Sequence, residues 1–378
     1  MRRKLSSSAA LAMALLLGCS ACAGRAGTPA TSATSPQAPT ATGEAADHGG
    51  PAPALIARAS STVVYVLATA RSPARGRLEL FRSDNAGRSF RPVTAPAARS
   101  AVGNPLKVRA MTFINPADGI AILGTPEQPE PLMMTVNGAK SWHRIVLGGS
   151  GAVWAVAGHG SEAYALTLSC GKSENCRSPR LYRSVAGSLR WIRQPATGIS
   201  GAAGAGGIGF SAWGSSVWLT VGNGEAAEIG LLGSTDSGRA FHQETALAAV
   251  ACWSAATSVS VVWLSCSEGM SVAFQRFTVG SARSRLLPVT GAGTGNTFLD
   301  PLSDRIAYFG TALGSRAGLY LSRNSGRSFT RTGRLPGPDA GISTSVTFLN
   351  VRDGLALIDG SRLLRTTDTG ASWTSVRL

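Results

Sequence analysis

One eight-residue string recurs along this chain, and its spacing limits the fold more than any other feature. Ser83-Asp84-Asn85-Ala86-Gly87-Arg88-Ser89-Phe90 returns at residues 135–142, 234–241, 322–329 and 366–373, and a worn copy at 184–191 has Ala186 and Ser188 where the acid or amide and the glycine should stand. The first position is a hydroxyl (Ser83, Thr135, Ser234, Ser322, Thr366) and the third an amide or acid (Asn85, Asn137, Asp236, Asn324, Asp368). Glycine follows in Gly87, Gly238, Gly326 and Gly370, and an aromatic closes the string in Phe90, Trp142, Phe241, Phe329 and Trp373. An Asn or Asp there accepts backbone N–H bonds in an Asx-type turn, the hydroxyl closes the same loop, and glycine takes a positive φ without a Cβ penalty. The aromatic is expected to re-enter a strand and pack in the core.

The copies start at 83, 135, 184, 234, 322 and 366, giving steps of 52, 49, 50, 88 and 44 residues. Because 88 is twice 44, a seventh, eroded unit is expected between 250 and 290, with residues 272–277 as the strand leading into a lost hairpin. Periods of this length with about four short strands match propeller blades rather than solenoid coils. The last unit shows the pattern: Val346-Thr347-Phe348-Leu349, Gly354-Leu355-Ala356-Leu357-Ile358, Arg362-Leu363-Leu364-Arg365, the repeated string, then Ser372-Trp373-Thr374-Ser375-Val376. The expected fold is all-β: a single propeller over residues 54–378 with seven four-stranded blades and the repeated hairpins between strands three and four. Six or eight blades stay open at this point, since the fifth unit rests on spacing, and no exchanged strand is demanded for closure.

These strings resemble the Asp-box, or bacterial neuraminidase repeat, written Ser/Thr-x-Asp-x-Gly-x-x-Trp/Phe. The best-known enzymes of that family are sialidases, and the resemblance implies a test residue by residue. Their arginine triad, opened by a Phe/Tyr-Arg-Ile-Pro motif, finds only Phe90-Arg91-Pro92-Val93 here, while Arg82 and Arg183 stand in strands before a hairpin. Of the tyrosines, only Tyr164 has a nearby glutamate, Glu162. Other propellers of this kind hydrolyse polysaccharides with paired carboxylates. Asp118, Asp300, Asp304 and Asp353 fall in turns between strands one and two and are expected to point away from any common pocket. The expected catalytic residues, cofactors and metal ligands are therefore none, and a divergent sialidase-like or other glycoside hydrolase is the alternative. The overall pattern is similar to lumenal photosystem II assembly factors, which implies an assembly or binding platform.

The N-terminus reads as an address. Met1-Arg2-Arg3-Lys4 and the apolar residues 9–17 form a signal peptide, too short to span a bilayer of about 30 Å. Leu16-Leu17-Gly18-Cys19 resembles the bacterial lipobox and implies a lipoprotein acylated on Cys19 after removal of residues 1–18; a plain signal-peptidase site after Ala21 or Ala23 is the alternative. Residues 19–53, rich in Ala, Thr, Pro and Ser, cannot bury enough surface to offset their chain entropy and form a tether. The expected location is the outer face of the cell membrane, with the protein monomeric and anchored by lipid.

The formal charge is +16, from Lys and Arg totalling 36 against 20 acids, with only four lysines. The arginines are spread singly rather than in a run, which argues against nucleic acid. An exported chain favours local disulfides, here Cys170 with Cys176 and Cys252 with Cys266. With hairpins on one face, the loops joining strands two and three open on the other, and a candidate binding face of Arg71, Arg75, Arg77, Lys172, Arg177 and Arg316 follows. Its expected partner is an exported protein or an anionic cell-wall glycan.

Overall fold

The computed structural model of the protein describes residues 52–69, 78–96, 108–125, 128–148, 152–170, 176–199, 209–222, 228–248, 251–268, 271–281, 285–287, 297–311, 318–335, 344–358 and 362–378. These form seven four-stranded antiparallel sheets, each built from four consecutive strands paired in chain order. The blades cover residues 52–93, 108–145, 152–193, 209–248, 251–286, 297–333 and 344–376. The first strand begins at Ala52. The signal peptide, Cys19 and the tether up to residue 51 lie outside the described residues.

Hydrophobicity places each strand in its layer. Second strands such as Val64–Thr69 and Gly354–Ile358 are buried on both faces and read as unbroken apolar runs. Fourth strands such as Arg91–Val93 are short, polar and exposed at the outer edge. The core lies mainly in the seams between blades. Tyr65, Leu67 and Leu80 of blade one pack with Phe113 and Ala139 of blade two, and Val64 and Val66 pack with Leu349, Leu355 and Leu363 of blade seven.

The repeated string forms the hairpin between strands three and four in every blade that carries a good copy. Ser83 Oγ donates to Asn85 Oδ1 at 2.9 Å and accepts the Gly87 N–H at 2.9 Å, while Asn85 Oδ1 accepts the Ser89 N–H at 3.0 Å. The same circuit recurs from Thr135, Ser234, Ser322 and Thr366. Two details differ from the expectation. The turn needs two consecutive left-handed residues, so a non-glycine also sits at positive φ in Ala86, Ala139, Ser237, Ser325 and Thr369, and in blade two the glycine, Gly138, precedes Ala139. The closing aromatics sit one residue before strand four and pack into the preceding blade: Trp142 joins the blade-one cluster with Nε1 donating to Thr94 O at 2.8 Å, and Trp373 joins that of blade six. They wedge the seams and, Phe241 excepted, stay half-exposed.

One backbone bond is common to all seven hairpins. Their N–H groups at Ala86, Gly138, Ala186, Ser237, Val279, Ser325 and Thr369 donate to Thr62, Ala117, Ser161, Ser215, Ser260, Arg305 and Arg352, each in the strand one–two turn of its own blade. Hairpins and strand one–two turns therefore share one face. In blade five the expected strand is Ser271–Thr278, and its eroded hairpin keeps this bond without the side-chain circuit.

Candidate functional site

The described cavity, about 480 Å³, lies on the axis and is lined by first-strand residues of all seven blades. Its charged and aromatic polar lining gathers at the ends of those strands next to the strand one–two turns: Arg58, His159, Trp213 and Asp300, with Ser60 and Ser61 beyond. Asp300 thus faces the axis, against the expectation of a turn former: it lies in strand one of blade six, ahead of the turn. Asp118 and Asp353 do act as turn formers, each held by the asparagine three residues earlier (Asn115, Asn350), and Asp304 accepts from Thr257 Oγ1 at 2.7 Å.

Arg58 spans three blades. From blade one its Nη1 donates to Phe348 O in blade seven at 2.6 Å and its Nη2 to Pro301 O in blade six at 3.1 Å, while Nη1 stands 3.5 Å from Asp300 Oδ1. Asp300 Oδ2 also accepts the Phe348 N–H at 2.6 Å. Burial pushes the Asp300 carboxyl above the usual carboxylate range against the pull of Arg58 and that N–H. His159 stacks on Trp213 with centroids 3.5 Å apart, and burial, helped by the Arg58 charge, lowers its pKa and keeps the imidazole neutral. Among the described residues Asp300 is the one carboxylate lining this cavity, already committed to Arg58 and Phe348, and Arg58 is the one arginine. Among the described residues neither an arginine triad nor a carboxylate pair converges there.

The Tyr164–Glu162 pair has a different geometry from a nucleophile and its base. Tyr164 is fully buried and donates to Glu162, whose other oxygen takes Arg183, and Ser237 Oγ of blade four donates to Glu162 at 3.1 Å. Tyr164 OH also reaches Gly214 O of blade four at 3.1 Å. The equivalent tyrosines repeat this reach: Tyr65 OH to Pro116 O at 2.9 Å and Tyr308 OH to Val351 O at 2.5 Å, each in the next blade. Burial acts to raise the Glu162 pKa, but hydrogen bonds from Arg183 and Tyr164 outweigh it and hold the carboxylate ionised, whereas burial and Glu162 push Tyr164 up. A phenol so held is a tie between blades, not a nucleophile.

Three further arginines serve the same end. Arg82 reaches Pro116 O, Arg109 reaches Val153 O while its guanidinium lies 5.6 Å from the Trp154 ring, and Arg365 reaches Ala86 O across the seam between blades seven and one. Single arginines distributed along the chain become single ties distributed around a ring.

Of the expected binding face, Arg71, Arg75, Arg77, Lys172 and Arg316 lie outside the described residues, and Arg177 is described only as backbone paired with Ser169. Cys170 pairs with Cys176 across two strands, but their side chains also lie outside the described residues. Cys252 and Cys266 are joined by a disulfide, opposite one another in strands one and two of blade five. Among the described residues no group of three His, Cys, Asp or Glu side chains is placed to hold a metal. Sequence reasoning missed Trp253. It follows Cys252 in the innermost strand Ala251–Ala256, at the end away from the hairpins, and is 59% exposed. Its one sequence signal is an aromatic beside a paired cysteine in a strand otherwise of small residues.

No known protein family and no curated protein matches the chain. Solved propellers do. A structure of YCF48 bound to D1 peptide is 14% identical over 85% of this chain and 94% of its own, with a TM-score of 0.54. YCF48 from Cyanidioschyzon merolae is 15% identical over 84% and 96%, with a TM-score of 0.54. A prolyl endopeptidase structure reaches a TM-score of 0.59 at 9% identity, with 86% of this chain covering 50% of that one. At these identities the likeness is one of fold.

Proposed function

We propose that this protein is a lipid-anchored, extracytoplasmic propeller of the Asp-box kind that serves as a non-catalytic binding or scaffold module for an exported protein or an anionic cell-wall glycan. The partner is received on the face opposite the hairpins, where Arg71, Arg75, Arg77, Lys172, Arg177 and Arg316 fall in the chain order. The observation that carries this reading is Trp253. A tryptophan left more than half exposed is a large apolar anchor with a polar edge, of the type that dominates binding energy at interfaces. Its strand is pinned by the Cys252–Cys266 bridge, so little order has to be gained on binding. Further support comes from the axial cavity, where Asp300, the one carboxylate among the described lining residues, is consumed in holding the ring rather than paired with a second carboxylate as glycoside hydrolysis needs. The peptide-bound YCF48 structure has the same fold and encourages the search for a polypeptide ligand.

The test is retention of envelope proteins and wall polymers by the full-length chain and by its Trp253→Ala variant, with fluorogenic glycosides screened in parallel. Saturable retention of one partner that the variant loses, at unchanged thermal midpoint, is the expected result. Glycoside turnover that survives repurification would overturn the reading in favour of a hydrolase.

A further inference from the structure

The hairpin face carries a charge pattern that the ring's own contacts do not consume. The position after the turn is an exposed cation in four blades: Arg88, Lys140, Arg239 and Arg327. Arg305 and Arg352, in the strand one–two turns bonded to those hairpins, are exposed as well. None of these six side chains has an acidic partner among the described residues, unlike Arg82, Arg183 and Arg365, which pair with Asp84, Glu162 and Asp353. The other described carboxylates of the face are fewer, and each already accepts a hydrogen bond within the ring: Asp236 and Asp368 from their own hairpin's N–H groups, Asp118 from Gly187 N–H of the next blade, and Asp304 from Thr257 Oγ1. Cationic charge therefore surrounds the axis on this face, spread blade by blade with no groove collecting it.

Apolar side chains stand among these cations. Val185 and Val279 occupy the second position of the two worn hairpins, and Val259 lies in the strand one–two turn of blade five; they are 44%, 37% and 52% exposed. In blade five, Val279 N–H donates to Ser260 O, so Val279 and Val259 belong to the same bonded corner. A hydrated glycan or polyphosphate offers these valines nothing. A bilayer surface offers both partners at once, anionic headgroups for the cations and the acyl boundary for the valines.

We propose that the hairpin face is a peripheral membrane-docking surface that seats the propeller on anionic phospholipid. Docked in this way, the ring presents its opposite face, with Trp253, away from the bilayer. The surface acts through the folded propeller alone and needs no acyl chain, so it stands independently of lipidation at Cys19.

The experiment is co-sedimentation of the full-length chain with vesicles of phosphatidylglycerol and phosphatidylcholine, against phosphatidylcholine alone. Cys19→Ser is placed in every protein to exclude acylation, so the N-terminal segment contributes equally throughout. With each cation near an anionic surface worth about fivefold at low salt, the variant Arg88→Gln/Lys140→Gln/Arg239→Gln/Arg327→Gln should bind at least about tenfold more weakly. Binding of the parent should fall as salt is raised from about 0.05 to 0.3 M. A second variant, Val185→Ser/Val279→Ser, should weaken binding while preserving that salt dependence. All substituted side chains are exposed, and a thermal melt establishes that each variant is folded. Equal binding by the parent and the four-cation variant, equal binding to neutral vesicles, or retention on a soluble anionic polymer without vesicle binding would each overturn the proposal.

Discussion

Replacing Arg58 by methionine tests whether the ring is closed by a polar clasp. Methionine keeps most of the stem's apolar contact and removes the charge and the donors. The loss comprises two charge-assisted bonds, to Phe348 O and Pro301 O, and the ion pair with Asp300. Bonds to a charged group contribute about 1.5–3 kcal/mol each when buried, and the 31% exposure of Arg58 puts them at the low end, so the carbonyl bonds account for about 3 kcal/mol. The ion pair adds about 1 kcal/mol, limited because a carboxyl stripped of its cation takes up a proton instead.

That proton gives the prediction its signature. Asp300 already titrates above its unfolded value, so its stabilising contribution is present below the unfolded pKa and lost as pH rises through the folded one. Without Arg58 the folded value climbs further, and the deficit of the variant should widen between about pH 5 and pH 7. Urea unfolding at both pH values, with the Asp300→Asn background completing a double-mutant cycle, is the assay. A deficit under about 1 kcal/mol, or one that does not change with pH and does not couple to Asp300, would refute the clasp.

Two further outcomes follow from the hairpins. Gly238→Ala should cost about 2–4 kcal/mol, since a Cβ there stands 2.2 Å from Leu181 Cδ2 in the neighbouring blade on top of the positive φ, whereas Gly280→Ala in the worn hairpin meets nothing within 4 Å and should cost about 1 kcal/mol; equal urea midpoints for the two would sink the seam argument. Burial works against Asp236 and Asp368, but hydroxyl and backbone N–H bonds dominate and depress their pKa values, so their stabilisation is present above the unfolded carboxylate range and lost as pH falls through the folded values. The double change Asp236→Asn/Asp368→Asn, which copies the asparagines of the other hairpins, should flatten the fall in thermal midpoint between about pH 5 and pH 3, and an unchanged acid limb would count against it.

The blades were legible because their hairpin chemistry is local. Ser83, Asn85 and Gly87 satisfy one another within five residues, so the string carries its own structure and its spacing carries the count, including the worn unit whose backbone bond at Val279 survives without the side chains. The aromatic was harder: Trp142 looks like a residue of its own blade, yet its seam is made with the blade before, a contact that depends on how the ring packs. Asp300 depends on ring packing too, since Phe348 reaches it from the next blade and only closure brings Arg58 to it from the far end of the chain. Trp253 gave almost no signal. It stands among small residues and belongs to no motif, and a tryptophan in a strand ordinarily reads as core.

Each blade takes its four strands from one continuous stretch, and among the described residues the last blade meets the first through side chains, with no shared strand. Propellers that share a strand across the closing seam have a privileged junction where the ends of the chain must lie. Here no described strand is shared across that seam, which the Arg58 side chain clasps instead. Each described sheet is complete within its own stretch, so joining the present ends and opening the chain between another pair of blades would preserve every sheet. The order of blades around the axis is fixed by the gene, but the place where counting starts is a matter of where the chain happens to enter.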